Sequence, residues 1–386
     1  MKKHIISIFT FLFLFLSFTS CDPDIFNTVN EKNVEFLALY VPHSTKILGD
    51  EKKIVKITIK NGEVSYSTFS DAYPSDSRFI AQSDLRNDIF TLGLDWRDFD
   101  YQGMYQKIDE TDFHYLPMVT EQNENRYSYF KTNTATLSDN GYILYLTGTA
   151  HKAYGSPYHD YMIRFNTSDD SYEVAESPDI FALSQPEKTD DTETASFEEV
   201  FISADGKIAY GYLEAWGVNG GTNHYDYDIL FSYNFDTKKY KRLGSTDDNS
   251  VSIGGMTYDR KRILYYNHHK LKMLNLKTGE INFVADSTNL VNVKENSWGN
   301  RGACVGANNK LYIKDFISDK EYTVCELSGW GEVENTIFSK DGQHIYFTID
   351  NGDHKYLCVT DDVEEKASYD TLGVYPREFR DLMLIK

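Results

Sequence analysis

Cysteine is scarce in this chain, with four among 386 residues. None sits in a C-x-x-C pair, so the spacing offers neither a zinc site nor a disulfide framework. Linker composition is missing too. No Pro- or Ser-rich stretch divides the chain, although its length exceeds what one ordinary core supports. Beyond the N-terminus, no segment shows the helical spacing of apolar residues. Positive charge is in short supply: 39 Lys and Arg stand against 59 Asp and Glu, for a net charge of −20. Such a surface repels nucleic acid and anionic lipid, so no nucleic-acid partner is expected. The catalytic signatures H-E-x-x-H and G-x-S-x-G do not occur. "GVNGGT" at 217–222 lacks the Lys and the following helix that a phosphate cradle needs.

What is present begins with "MKKHIISIFTFLFLFLSFTSC". Lys2 and Lys3 precede an apolar run from Ile5 to Phe18, and small residues lead to Cys21. This is the layout of a secretory signal. The run is shorter than the roughly 20 residues a membrane span needs. Cys21 directly after "SFTS" resembles a bacterial lipoprotein cleavage site, and "CDPD" resembles the tether of surface-displayed lipoproteins of Bacteroidetes. The resemblance implies removal of residues 1–20 as a signal peptide. It implies a lipid on Cys21 as the membrane anchor, a tether over 21–33, and an outer-membrane location with display at the cell surface. Cys304, Cys325 and Cys358 are then an odd number, so at least one is free or pairs with another chain.

The rest of the chain reads as strands. "YILYLTG", "IAYGYL", "RILYYN", "KLYIKDF" and "HIYFTI" are rich in aromatic and β-branched residues and are bounded by turn formers. One phrase recurs: "LSDNGYILYL" from Leu137, "ISADGKIAYGY" from Ile202, "FSKDGQHIYF" from Phe338, and a worn copy, "MTYDRKRILYY", from Met256. Asp-Gly tolerates the positive φ of tight hairpins. Gly206 and Gly342 lie 136 residues apart, three units of about 45, a propeller-blade period. A second phrase follows each first one: "FNTSDDSYEV", "YNFDTKKYKRL", "LNLKTGEINFV" and "DFISDKEYTVCEL". It reads as the hairpin between third and fourth strands.

These phrases resemble the blades of β-propellers with TolB-like or WD-like repeats. They do not match the sialidase Asp-box, so no sialidase chemistry is carried over. The expectation is an all-β fold: a single monomeric β-propeller over 34–386, with seven four-stranded blades. Five blades are expected at about 130–178, 196–246, 250–287, 291–328 and 332–370, and a weaker one at about 76–120. Residues 34–70 supply three strands, and the C-terminal "FRDLMLIK" supplies the missing one, joining the chain ends and removing exposed edges. Six or eight blades are the alternatives. Cys304 and Cys325 fall two strands apart in one blade, about 9.5 Å, so they are not expected to pair.

In such blades the first-to-second and third-to-fourth turns share one end, and the second-to-third loops share the other with the links between blades. "EAWGVNGGTNHYDYDI" at 214–229 is expected as a long loop at that second end. Its neighbours there are 149–160, 95–103 and the link 184–196. Histidine collects in these loops: His43, His151, His159, His224, His268, His269 and His354. Trp96, Tyr101, Tyr154, Tyr158, Trp216 and Tyr225 join them, with Asp95, Asp98, Asp100, Asp160 and Asp226.

Three functions compete. In a ligand platform, aromatic faces stack on sugars or flat organic ligands while His and Asp bond polar edges. The residues named for it are Trp216, His224, Tyr225 and Asp226, facing Trp96, Tyr158, His159 and Asp160. Resemblance to envelope lipoproteins that feed transporters implies a glycan or metal-chelate ligand. A protein-interaction scaffold in the envelope would use the same face as a contact patch. A hydrolase or lyase would use the loop His and Asp as acid, base or metal ligands, but no sequence feature fixes a catalytic pair, and no cofactor or metal is specified. Plainer accounts stand beside these. Tyr is abundant, at 29 copies, Gly217, Gly220 and Gly221 suit turns, and the acidic "TDDTETASFEE" lacks an EF-hand pattern.

Overall fold

The computed structural model describes residues 34–41, 53–60, 63–70, 79–81, 89–92, 103–119, 126–130, 135–151, 159–178, 193–219, 223–244, 251–257, 259–267, 270–286, 297–305, 310–327, 331–339, 341–360 and 369–385. The signal, Cys21 and the tether lie outside them.

Strands β1 (Val34–Tyr40), β2 (Lys53–Lys60) and β3 (Glu63–Ser70) belong to a first sheet. The second holds β4 (Phe79–Ala81), β5 (Ile89–Leu92), β6 (Met104–Lys107) and β7 (His114–Tyr115). The third holds β8 (Arg126–Phe130), β9 (Thr136–Leu137), β10 (Tyr142–His151), β11 (His159–Asn166) and β12 (Tyr172–Glu176). The fourth holds β13 (Glu193–Ile202), β14 (Ile208–Asn219), β15 (Asn223–Asn234) and β16 (Lys239–Arg242). The fifth holds β17 (Val251–Met256), β18 (Arg262–Asn267), β19 (Lys270–Asn275) and β20 (Ile281–Asp286). The sixth holds β21 (Ser297–Trp298), β22 (Arg301–Val305), β23 (Lys310–Asp315) and β24 (Glu321–Glu326). The seventh holds β25 (Glu332–Phe338), β26 (Ile345–Asp350), β27 (Lys355–Thr360) and β28 (Tyr369–Tyr375). The last strand, β29 (Phe379–Leu384), returns to pair with β1 in antiparallel register, Phe36 opposite Leu384.

The architecture is a β-propeller. Alternating apolar positions give each sheet two buried faces, and these faces close a ring. Leu37 and Met383 pack on Met104, Tyr105 packs on Ile143, and Leu146 on Phe197. Leu230 packs with Ile263, and Leu264 with Cys304. Ile313, Phe347 and Phe36 share one cluster that joins the sixth, seventh and first sheets. Each sheet thereby covers its neighbour, and the chain ends meet in the first.

The two recurrent phrases are two recurrent turns. In the first, Ser203 donates its hydroxyl to Asp205 Oδ1 at 2.6 Å, the same carboxylate accepts from Lys207 N at 3.1 Å, and Ile208 N donates to Ser203 Oγ at 3.0 Å. Thr257 and Asp259 repeat the pattern, as do Ser339 and Asp341. Ser138 with Asn140 is the amide variant. The side chains thus satisfy backbone donors that a tight turn leaves open. In the second turn an Asn or Asp accepts from amides two or three residues on, as Asn275 does from Lys277 and Thr278 and Asp315 from Ile317 and Ser318. The residue four places after it has positive φ: Asp170, Lys238, Gly279 and Asp319, at 55° or more.

The expectation for the cysteines holds among the described residues. Cys304 and Cys325 sit on β22 and β24 with β23 between them, and all three described cysteines are free and buried.

Candidate functional site

The segment 214–229 is a ribbon rather than a loop. β14 and β15 each run 12 residues and pair from Ile208–Asn234 to Asn219–Asn223, so only 220–222 remain as the connection. The second and third strands of the fifth and seventh sheets have six residues each, so at about 3.3 Å per residue the ribbon projects roughly 20 Å further than theirs. The reason is cross-strand pairing across the glycines. Gly217 lies opposite Tyr225, and Gly211 opposite Phe231, so an aromatic residue stands against each gap in the ladder. The expected link at 184–196 likewise ends as strand: β13 begins at Glu193 and pairs Glu193 with Gly217. In the third sheet, β10 runs on to His151 and β11 starts at His159, and β8 pairs only with the outer half of β10. Two neighbouring sheets therefore both extend beyond the ring at its loop end.

Strand alternation sorts the candidate residues. In the third sheet, Leu144, Leu146 and Met162 are buried against the fourth sheet. Gly148, Ala150 and Asp160 share that face, and so do Tyr127 and Tyr129, which stand opposite Ala150 and Gly148. In the fourth sheet, Phe197, Leu213 and Ile229 are buried against the third. Ala195, Ala215, Gly217, Tyr225 and Tyr227 continue that face outward. The two extensions thus oppose tyrosine positions 127 and 129 to 225 and 227, with glycine and alanine on the strands beside them.

Along the ribbon Trp216 pairs with Asp226, Gly217 with Tyr225 and Val218 with His224, so Trp216, His224 and Asp226 alternate in register with Tyr225. His159 pairs with Thr149. Asp160 is 4% exposed, buried between sheets rather than displayed on a platform. Trp96 and Tyr158 lie outside the described residues, as do His43, His268 and His269. His354 does close a second-to-third connection, its N–H donating to Asn351 Oδ1 at 2.8 Å. Tyr127, Tyr129 and Tyr227 stand at register positions that the sequence expectation did not name. The Y-x-Y spacing in "RYSYF" and "YDY" is the signal that marks them, once strand rather than loop is assumed.

The base of the fourth-sheet extension is acidic. Burial first, then the charges of Glu198, Glu199, Asp228 and Glu214, push the Tyr212 phenol up. Among the described residues, no group of three or more His, Cys, Asp or Glu could hold a metal ion.

At the opposite end the same two sheets are clamped. The Arg164 guanidinium lies 4.8 Å from the Tyr142 ring and 4.4 Å from the Phe235 ring, and Nη1 donates to Gly206 O at 2.8 Å. Its other arm pairs with Glu173. Asn140 Nδ2 donates to Asp205 O at 2.8 Å across the same junction. A cation held between two rings and a carboxylate fixes the separation from which both extensions rise.

No known family's sequence pattern matches the chain, and no curated protein matches it. Solved structures do. The β-propeller domain of the Trilobed protease from Pyrococcus furiosus, with an open velcro topology, has a TM-score of 0.52 at 9% identity, over 88% of this chain and 92% of that one. The acylaminoacyl peptidase of Pyrococcus horikoshii has a TM-score of 0.52 at 8% identity, over 90% of this chain and 53% of that one. TolB from Acinetobacter baumannii has a TM-score of 0.38 at 11% identity, over 88% of this chain and 81% of that one. At these identities the likeness extends to the fold alone. Unlike the velcro-open propeller, this chain closes its first sheet with β29.

Proposed function

We propose that this protein is a ligand-capturing lipoprotein of the bacterial cell envelope, anchored by a lipid on Cys21 and binding between the extensions of the third and fourth sheets. The ligand is a glycan or a metal chelate, a molecule with flat apolar faces and polar edges. One observation carries the reading: two neighbouring sheets continue together past the ring, and their opposed faces carry tyrosine positions 127, 129, 225 and 227 beside Gly148, Ala150, Ala215 and Gly217. Small residues next to aromatic ones leave room for a ring, and tyrosine supplies both a stacking face and a hydroxyl. The outer membrane, with display at the surface, is the location that goes with this role.

The test is a melting-temperature screen of residues 22–386 against glycans and metal chelates. A ligand at 100 times its dissociation constant adds about 2.7 kcal/mol. The double variant Tyr225→Ala/Tyr227→Ala is expected to lose the shift, whereas Trp216→Ala, on the other face, keeps it. Loss in Trp216→Ala with retention in the tyrosine variant would move the site to the face turned toward the fifth sheet.

A protein-interaction scaffold is the second reading, and a separate observation favours it. β16 pairs with β15 only from Phe231 to Asn234, and on the side away from β14 no strand lies beside Asn223–Ile229 among the described residues. Such an edge suits strand addition by an extended segment. No shift across the screen, with one envelope protein co-purifying, would favour that role.

A further inference from the structure

Between the seventh and first sheets, at the loop end of the ring, a buried hydroxyl has nothing to bond. Tyr375 is 1% exposed, and its phenol oxygen has no hydrogen-bond partner among the described residues. Buried polar groups are ordinarily satisfied, and an orphan is costly. The surroundings are polar. The carboxylates of Asp381 and Glu334 are near enough that, after burial itself, their charges push the phenol up. Lys355, almost fully buried, holds its ammonium 5.4 Å from the Tyr375 ring and pairs with Glu334 Oε2. Asn335 donates Nδ2 to Thr348 Oγ1 at 3.1 Å, and that hydroxyl donates onward to Glu334 O at 3.2 Å.

The backbone here is strained in two places. Asn335 and Asp381 have φ of +49° and +47°, a region that L residues avoid. Each lies at a bulge of an inner strand. β25 slips register against β26 between Glu334 and Ile337, and β29 slips against β1 with Asp381 as its extra residue. Strain of this kind persists where the surrounding structure has a use for it.

We propose that this cluster binds the primary ammonium group of a small amine. The Tyr375 hydroxyl can accept as well as donate, and Glu334 Oε1 and the Asn335 amide oxygen are further acceptors in the cluster. Three acceptor atoms match the three N–H donors of an ammonium, and the Tyr375 O–H is left to turn toward a carboxylate. The other donors nearby are engaged, Lys355 with Glu334, Arg377 with Asp350 at 3.0 Å, and Asn335 with Thr348. An anion would meet Glu334 and Asp381, and the net charge of −20 draws cations toward the molecule. Glu334, with its side chain 39% exposed, is the side open to solvent. The site lies at the junction of the seventh and first sheets, apart from the tyrosine-bearing extensions, and its test is independent of theirs.

The experiment is a thermal-melt titration of the full chain with methylammonium chloride, run against tetramethylammonium chloride and potassium chloride at matched ionic strength. Tetramethylammonium keeps the charge and has no N–H. Methylammonium is expected to raise the melting temperature saturably, and the two controls are not. Tyr375→Phe should fold, since it removes only an unbonded oxygen, and should bind methylammonium about tenfold more weakly or worse. Asn335→Gly removes the amide oxygen and relieves the φ strain. It should melt higher than the parent and respond less, and it carries the test if Tyr375→Phe does not fold. Equal shifts with all three salts would mean bulk screening and overturn the proposal, as would an undiminished response in both variants.

Discussion

Gly211 lies where β13 and β14 approach closely beside a bulge, and Gly211→Ala tests whether that close approach sets the base of the extension. A Cβ at this position would sit 2.4 Å from the backbone oxygen of Glu199 and 3.0 Å from Cε1 and Cζ of Phe231. Glu199 follows directly on the bulge at Glu198, which the pairing skips between Phe197 and Glu199. Ordinary contact begins at 3.4 Å, so the carbonyl must retreat by about 1 Å. A ring can tip away, but a strand carbonyl in a ladder cannot without moving the bulge. Overpacking costs about 1–3 kcal/mol, and a backbone obstacle belongs at the upper end, about 3 kcal/mol. Gly279→Ala is the reference: φ is +73° and nothing lies within 4 Å of the added atom, so only torsional strain of about 1–2 kcal/mol applies. The assay is equilibrium urea denaturation followed by tryptophan fluorescence, reading the midpoint at constant slope. At roughly 1.3 °C per kcal/mol for a chain of this size, Gly211→Ala should also melt about 4 °C lower. The reasoning is refuted if Gly211→Ala is within about 0.5 kcal/mol of the parent, or no worse than Gly279→Ala.

Ser203→Ala removes a hydroxyl that both donates to Asp205 and accepts from Ile208 N, and should cost about 1 kcal/mol in the same assay. The Ser203 hydroxyl is also the chief reason the Asp205 carboxyl titrates below its ordinary range. The stabilisation it brings is present above the unfolded carboxylate range and is lost as pH falls through the depressed value. An NMR titration should therefore show Asp205 moving back up in Ser203→Ala. Burial raises the thiols, Cys325 to about 11 and Cys304 and Cys358 to about 12. Their contribution is complete below about 8.5 and is lost as pH climbs through those raised values. Native protein at pH 8 should show no rapid reaction of these three with a chromogenic disulfide, and urea should release all of them. Arg164→Lys keeps the charge but loses the planar contact with Tyr142 and Phe235 and the fork reaching Gly206 and Glu173. A loss of about 2 kcal/mol is expected, together with weaker ligand binding at the far end of both sheets.

The all-β fold, the closure by the C-terminal strand and the repeated turns are legible in the amino-acid order. Those features are written locally. Ser203, Asp205 and Gly206 make their turn from atoms a few residues apart, and the same spacing in "LSDNG", "MTYDR" and "FSKDG" makes the same turn. "FRDLMLIK" carries the strand alternation that pairs with Val34–Tyr40, and its terminal position left the first sheet as the one that lacked a strand.

Which candidate residues share a strand register is legible only in the tertiary structure. Trp216, His224, Tyr225 and Asp226 look like one group in the chain, and in a loop they could be one. Once Asn219 pairs with Asn223 the segment becomes strand, and a period of two sends Tyr225 to the opposite face from its neighbours. Glycines at 217, 220 and 221 argued for a loop because local propensity cannot register a tyrosine standing opposite Gly217. Tyr127 and Tyr225 are almost a hundred positions apart, and only the packing of the third sheet on the fourth opposes their faces. The seam at Tyr375 is likewise illegible in sequence, since its three acceptors come from the first inner strand of the seventh sheet and the end of its last. Short-range hydrogen bonding fixes elements and turns; which faces meet depends on register and ring closure, and these are settled only when the whole chain is packed.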